Sequence, residues 1–538
     1  MLQLLCAFLL VAPVVPPCAV GDDLEFTPAH AEHLFNRAGF GVTQAEAQRL
    51  AAAGLEAALE ELLRERPVEP PFHLQSFGVT YAILRDRLGV SASSPEGHDR
   101  VLRSTRLEER GRDRAQLTNY THWWIEQMAA HADPLRDRMT LFWHGHFTSS
   151  QEDVSNSYEM CRQHQLLRSE ALGSFREMLS GIARDPAMLK YLDNARSTRR
   201  KPNENFAREL LELFTLGEGN YTEQDVKEAA RAFAGWTDER SEFYLDEEKV
   251  DPGEKTFLGR TGEWGGQDVL GILLEQPACA EYVAGSIIGW LEGVPPSPER
   301  RTHYGRLFLE SDYQLRPLLG ELFRDPSFYR EEVVGQRIAG PLELMVGQVR
   351  RLGVEPPSRL LSFGSELLGQ HLFFTPSVKG WDEGRAWITT STLMQRGNLA
   401  GVLTGQLNAD VLREEFEDSE AAEEVEEAAM MGMEGELEPM FERRDSFYEE
   451  LKDLSKFGWQ PRLNLTAWMD RAGVESVRNV VQALAEELLA VRPSQATLEE
   501  LGRWWQDESS QISRPDELEN ALRGLAYLIL ALPEAQLH

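Results

Sequence analysis

The sequence predicts a mostly α-helical protein, a large multi-helix globular array with at most a short β-hairpin. Three observations predict it. Apolar residues recur at three- and four-residue spacing along most of the chain, the periodic segments open on Ser, Thr or Asp caps and stop at Gly, and strand-like alternation is scarce. With 538 residues, 42% of them hydrophobic, the chain can bury one large core or two adjoining ones.

The first residues, "MLQLLCAFLLVAPVVPPCAVGDD", are an apolar run closed by small residues and an acidic start. Residues 1–21 are therefore expected to be a signal peptide, and the protein to be exported to a periplasmic or extracellular place. The positive flank of such a leader is reduced to the start amine, because no Lys or Arg precedes Arg37. Thr27-Pro28 then reads as cap and first residue of the helix "PAHAEHLFNRAG", stopped by Gly39, and Thr43 caps "QAEAQRLAAAGLEAALEELLRE". Asp133-Pro134 opens "PLRDRMTLFWHG" in the same way. Periodicity places further helices at about 114–131, 165–182, 203–216, 223–234, 267–292, 314–324, 341–352, 388–405 and throughout 476–538. Alternation around Glu242–Asp251 marks the arm of a short hairpin, and the Pro-, Ser- and Gly-rich segment 68–101 reads as a loop. The organisation expected is one helical domain over 22–408, an acidic disordered insertion over 409–444, and a C-terminal helical part over 445–538 packing on the same domain.

The formal net charge is −33, of which the fourteen acids against Arg413 between Asp410 and Glu442 supply −13. That balance argues against nucleic acid as a partner, because phosphate binding needs clustered cations. After the leader no stretch reaches the roughly 18 apolar residues of a membrane span. Four cysteines include Cys161 and Cys279 outside the leader, a pair compatible with one disulfide. The Cys-x-x-Cys-His pattern that attaches a c-type haem covalently is absent.

Two stretches carry candidate chemistry. "KPNENFARELLELFTLGEGNYTEQDVKEAARAFAGW" (201–236) opens a helix with two asparagines around a glutamate, although asparagine is a poor helix former. Asn205, Arg208, Glu209 and Glu212 fall with Glu204 on one polar arc, which serves either as a solvent-facing charge ladder or as a site. Laid on a calcium loop, the following "GEGNYTEQD" fails, because Phe214 and Leu216 stand where the first carboxylates belong. "LFWHGHFTSS" (141–150) places His144 and His146 two apart at a helix end, with Gly145 able to break the helix. Within a regular helix they would point about 200° apart; across a helix-to-loop transition they could converge on a divalent metal. A third ligand would come from Glu204, Glu209, His122 or His164. Dipole capping explains one histidine equally well.

These stretches, with "HLFNRAGFG" (33–41), "KTFLGRTGEWGGQDVLGILLEQPACAEYVA" (255–284), "DPSFYREEVVGQRIAGPLELMVGQVRRLG" (325–353) and "LGQHLFFTPSVKGWDEGRAWITTSTLMQRGNLA" (368–400), resemble the bacterial family of domain of unknown function 1800. The resemblance covers nearly the whole mature chain and implies an exported bacterial protein, often encoded beside a second exported family resembling sulfatases, with no established activity to carry over. It implies hallmark positions at Arg37, His144, His146, Asn194, Pro202, Asn203, Glu204, Asn205, Arg208, Glu209, Lys255, Lys379, Gly380 and Trp381. Val250 stands where the family usually carries a histidine.

Two functional readings follow. In the first, the His-Gly-His segment, the Asn-Glu-Asn helix start and the Lys-Gly-Trp loop meet in one polar cleft that binds a metal or small ligand, with hydrolytic or redox chemistry. There His144, His146, Glu204 and Glu209 act as ligands, acids or bases, and Asn203, Asn205, Arg208, Lys255, Lys379 and Trp381 bind the ligand. In the second, the protein is a non-enzymatic exported scaffold or binding protein, and the same residue types form a buried polar network.

Overall fold

The computed structural model describes residues 24–66, 70, 72–77, 95–409, 412, 447–456, 458–474 and 479–538. The leader, almost all of the acidic stretch and much of the 68–101 segment lie outside the described residues.

Helices build the body. α1 (Pro28–Arg37) opens on Thr27, whose hydroxyl accepts the His30 N–H, with Pro28 in the first turn where its missing N–H costs nothing. The helix expected from Gln44 divides at Gly54, whose φ of +88° is left-handed, into Gln44–Ala53 and Leu55–Leu63. α2 (Pro95–Ala130) starts well before 114, inside the segment read as loop, and is therefore longer than the periodicity indicates. α3 (Pro134–His146) follows on Asp133. The helix expected over 165–182 is two: α4 (Ser157–Glu170), capped by Asn156, and Phe175–Ala183, capped by Ser174, with Gly173 between them.

α5 (Glu204–Glu209) runs on into a π-helical turn, Leu210–Thr215, and Glu223–Ala232 comes after. The segment 267–292 breaks into Gly266–Leu274 and α6 (Pro277–Glu292), because Pro277 cannot continue a helix but fits a first turn. Pro298–Glu310 and Ser358–Leu367 are helices the sequence reading left out. Leu315–Arg324, α7 (Pro341–Leu352) and Thr390–Thr404 lie close to their expected places, and Leu465–Arg471, Val480–Leu488, Gln495–Ser509 and Pro515–Leu530 complete the chain. Two antiparallel hairpins interrupt the helices. Trp236–Glu239 pairs with Glu242–Leu245, so the arm anticipated at 242–251 supplies only one of these strands, and Lys255–Phe257 pairs with Arg260–Gly262. No helix among the described residues is long and apolar enough to cross a membrane.

The apolar side chains gather in two adjoining cores. One is built by α1, the two helices over 44–63 and residues 135–329; the other by α2, the start of α4 and residues 339–535, so the helices after 447 share a core with α7 and Thr390–Thr404. Cys161 lies in the second core and Cys279 in the first, both as buried free thiols, so they do not form a disulfide. α3 runs along the seam: Leu135, Met139, Phe142 and Trp143 enter the first core and Leu141 the second.

A buried ion network ties that seam. Glu343 on α7 is 2% exposed; Arg138 on α3 reaches its Oε1 at 2.7 Å, Arg337 pairs with its Oε2, and the Gly340 N–H donates to Oε2 at 3.1 Å. Arg138 Nε also donates to the Arg37 carbonyl at 3.0 Å, and Arg37 Nη2 to the Val333 carbonyl at 2.9 Å. Burial alone would raise the Glu343 carboxyl, but Arg138 and Arg337 overturn it and hold it well below its ordinary value of 4.5. A carboxylate held below its unfolded pKa adds stability above that value and loses it as pH falls. Glu343→Gln should therefore cost about 3–5 kcal/mol in urea unfolding at neutral pH, because it leaves buried guanidinium charge uncompensated. Wild-type stability should fall as pH drops below about 4.5, and the variant should lack that part of the decline.

Candidate functional site

The seam between the cores opens to solvent as a cleft of about 390 Å³. Its construction begins with the segment after Leu372, which is bound along the end of α3. Gln151 N–H donates to the Phe373 carbonyl at 2.8 Å, Thr148 Oγ1 to the Val378 carbonyl at 2.6 Å, and Ser150 pairs with Phe374 as a bridge. Two glycines permit the next step. Gly380 has φ +84°, and a Cβ there would stand 2.7 Å from the Gly145 carbonyl oxygen, so the Lys-Gly-Trp loop can cross the His-Gly-His turn only as glycine.

Gly145 is different. α3 continues through His146, so Gly145 does not break the helix, and a Cβ on it would meet nothing within 4 Å. Glycine inside a helix costs about 1 kcal/mol against alanine. The space beside it is the cleft floor.

Because α3 stays helical, the two histidines diverge and do not form the shared metal pair envisaged from their spacing. His144 packs in the second core against Trp124 and Phe373, with Trp381 beside it. Its Nε2 accepts the Phe373 N–H at 3.1 Å, so the ring proton sits on Nδ1, which is buried without a partner. A metal-bound neutral imidazole carries its proton on the other nitrogen. At His144 that nitrogen faces an N–H donor, which excludes ligation in this arrangement. His144 instead pins residue 373 and backs Trp381.

His146 turns to the first core, against Phe142 and Phe147. Its Nε2 lies 3.1 Å from the Phe214 carbonyl. A carbonyl only accepts, so Nε2 carries the proton and Nδ1 keeps its lone pair. Burial pushes this imidazole down to about 4, the Phe214 contact pulling back only in part, so it is neutral at ordinary pH. The acceptor it meets is a product of the π turn: Leu216 N–H reaches back to Leu211, and the late carbonyls of the turn are left for side chains, Phe214 for His146 and Leu213 for the Tyr282 hydroxyl at 3.1 Å.

The remaining walls come from Glu212 and Glu218 near the π turn, Tyr282 and Trp290 on α6, and Lys379, Trp381, Asp382 and Glu383 on the loop. Arg337 and Glu343 reach the cleft as well, already engaged with each other. Trp290 is flanked by two guanidiniums, Arg138 at 4.4 Å and Arg337 at 4.8 Å from its ring. Glu383 is exposed at the surface, yet the protein packed around its carboxyl holds it above its ordinary value, Glu343 adding to the rise while Arg337, Arg138 and a hydrogen bond from Trp290 oppose it. Glu212 accepts the Tyr221 hydroxyl at 2.8 Å, and the Trp381 indole N–H has no partner.

Of the residues singled out from the sequence, His146, Lys379 and Trp381 line the cleft together. Glu209 is not among the lining residues, though Glu212 and Lys379 both act on it: burial and Glu212 raise its carboxyl, and Arg208 and Lys379 pull it back. The others lie elsewhere. Asn203 caps α5 through the Asn205 N–H at 2.9 Å and donates to the Leu192 carbonyl at 2.9 Å, and Asn205 reaches that same carbonyl at 3.5 Å. Glu204 is exposed, 3.6 Å from Arg208, which grips Glu223 with two bonds of 2.7 and 2.9 Å. Lys255 is buried and donates to the Asp251 and Gly253 carbonyls at 2.7 and 2.8 Å, fixing the loop before its strand. Val250 packs beside Gly235 and does not line the cleft, so the missing family histidine removes nothing from it. His164 bonds the Tyr120 hydroxyl at 3.0 Å inside the second core. Among the described residues, no three His, Cys, Asp or Glu side chains are grouped to hold a metal ion.

Sequence reasoning missed Tyr282, Trp290, Arg337 and Glu383. The "PLELMVGQV" helix did carry one signal, an acid at position 343 in a buried run whose other polar side chain is the neutral Gln348.

Residues 33–537 match the family model described as Protein of unknown function (DUF1800), and the chain belongs to that family. No curated protein and no solved structure matches it.

The two glycines should respond oppositely to alanine. Gly145→Ala is expected to leave unfolding free energy unchanged or raise it by up to about 1 kcal/mol, since helix propensity favours alanine and nothing clashes. Gly380→Ala is expected to lower it by about 1–3 kcal/mol, through a left-handed φ and a backbone collision. Urea titration of both variants checks the pair.

Proposed function

We propose that the cleft is an acid–base site that binds a small polar ligand and adds water across a bond in it, in a protein that acts outside the cytoplasm. The observation that carries this reading is His146: a neutral imidazole with its proton committed to the Phe214 carbonyl, next to a helical glycine that packing does not require. Its free Nδ1 is the group that would take a proton from water as the water oxygen bonds to the ligand. The Glu383 carboxyl, held above the usual range, would protonate the departing atom. Each step leaves His146 charged and Glu383 ionised, and exchange with solvent restores both. Lys379 and Trp381 would orient the ligand from the cleft wall. Export rests on the apolar leader over residues 1–21.

A second reading, a scaffold without catalysis, is favoured by one observation. Asn203, Asn205, Arg208 and Lys255 are all engaged in local structural bonds, so much of the motif is explained without a reaction.

Chromogenic esters, amides and glycosides offered to the full chain separate the two. With the best substrate, His146→Gln and Glu383→Gln should each lower kcat by about 10²–10⁴-fold with little change in melting. The rate should rise as pH climbs through about 4, where His146 loses its proton, and fall again once Glu383 ionises above its ordinary carboxylate range. Turnover that survives both substitutions, or none with any class, would favour the scaffold.

A further inference from the structure

The cleft does not end at Trp290. A second cavity of about 490 Å³ shares Phe142, Tyr282, Trp290 and Glu383 with it and continues along α6, past Ser286 and Gly289, to Pro295, Pro296 and Arg301. The two form one elongated groove, each half already large enough for a small ligand. Gly285, in the same stretch, has another use: the Arg301 side chain lies 3.3 Å from where its Cβ would be, so it serves the packing of Pro298–Glu310 on α6, and the groove does not rest on it.

Charge and chemistry narrow the occupant. Around the first half stand Glu212, Glu218, Asp382 and Glu383, against Lys379, which has no ion-pair partner among the described residues, and Arg337, which is bound to Glu343. A polyanion would be repelled along the first half, while the second offers it Arg301 alone. An extended peptide is read mainly through an exposed strand edge, and the described walls are helices and loops, which offer none. What the walls do present is aromatic side chains at intervals, Trp381 and Trp387 in the first half and Tyr282 and Phe142 at the junction beside the guanidinium-flanked Trp290, interspersed with carboxylate acceptors. Such a lining suits a chain of uncharged rings whose flat C–H faces lie on aromatic side chains and whose hydroxyls both donate and accept.

We infer that the groove binds a linear, neutral oligosaccharide, spanning both cavities. This rests on the reading of the cleft as a ligand site, though not on that site being catalytic.

Calorimetric titration of the full chain with neutral hexasaccharides of α- and β-linked glucose, xylose and N-acetylglucosamine, and with the matching disaccharides, tests it. A hexagalacturonate and hexalysine serve as charged probes. At least one neutral hexasaccharide should bind at least ~10-fold more tightly than its disaccharide and than either charged probe, about 1.4 kcal/mol. Gly145→Leu should fill the first cavity and Ser286→Trp the second, each weakening the hexasaccharide at least ~10-fold while melting stays within a few degrees of wild type. Asp382→Arg, at the exposed rim, should keep the fold and gain affinity for the hexagalacturonate. Preference for a charged probe, equal affinity for dimer and hexamer, no binding of any neutral sugar, or indifference to Ser286→Trp would overturn the inference. Saccharide binding without turnover would remove the acid–base reading and leave this one standing; turnover of a small ester without saccharide binding would do the reverse.

Discussion

The carboxylate of Glu343 is the point on which the arrangement depends. It stands between two guanidiniums, Arg138 and Arg337, with the Gly340 N–H closing the remaining angle, all in the seam where the two cores meet. Two ions removed from water are offset only when geometry is close and every partner is present. A shift of α3 along α7 by one residue would turn Arg138 about 100° away from Glu343 and leave both charges buried and alone. Because a shifted pairing would bury unpaired charge, the network disfavours other registers of α3 on α7. Register is what the cleft needs, because the same helix carries His144, Gly145 and His146 about two turns further on.

Helical geometry then assigns three adjacent residues three separate tasks. With about 100° between neighbours, His144 and His146 cannot share an object, and each enters a different core. The bond each ring makes decides its tautomer: an N–H from Phe373 at His144, a carbonyl from Phe214 at His146. Only the second leaves a lone pair on a ring lining the cleft. Gly145, between them, takes the face that belongs to neither core: its carbonyl meets the Lys-Gly-Trp loop at Gly380, and the space where its side chain would stand is left open to the cleft.

The π turn after α5 plays the matching part from the other side. One extra residue in the turn displaces its carbonyls from their usual donors, and His146 and Tyr282 reach them from elements distant in sequence. The asparagines that open α5 contribute to this only indirectly. They anchor the helix start to the Leu192 carbonyl, which sets where the turn falls.

Local chemistry determined much of this protein in the sequence alone. Caps at Thr27, Thr43 and Thr222, prolines in first turns and apolar periodicity specify helices through bonds between residues three or four apart, so they are legible wherever the segment is read by itself. Asn203 as a cap was legible for the same reason. Where the long helices divide was less so, since at Gly54 and Pro277 a continuous apolar pattern runs across the break. The tertiary structure decided the site. Whether Arg208 faces a ligand or Glu223, whether His144 meets an N–H or a carbonyl, and that Trp290 and Glu383 line the same cleft as His146 all depend on an approach of residues that lie far apart in the chain. No periodicity encodes such contacts, because they arise only when two cores close on the same helix and a buried carboxylate finds both of its arginines.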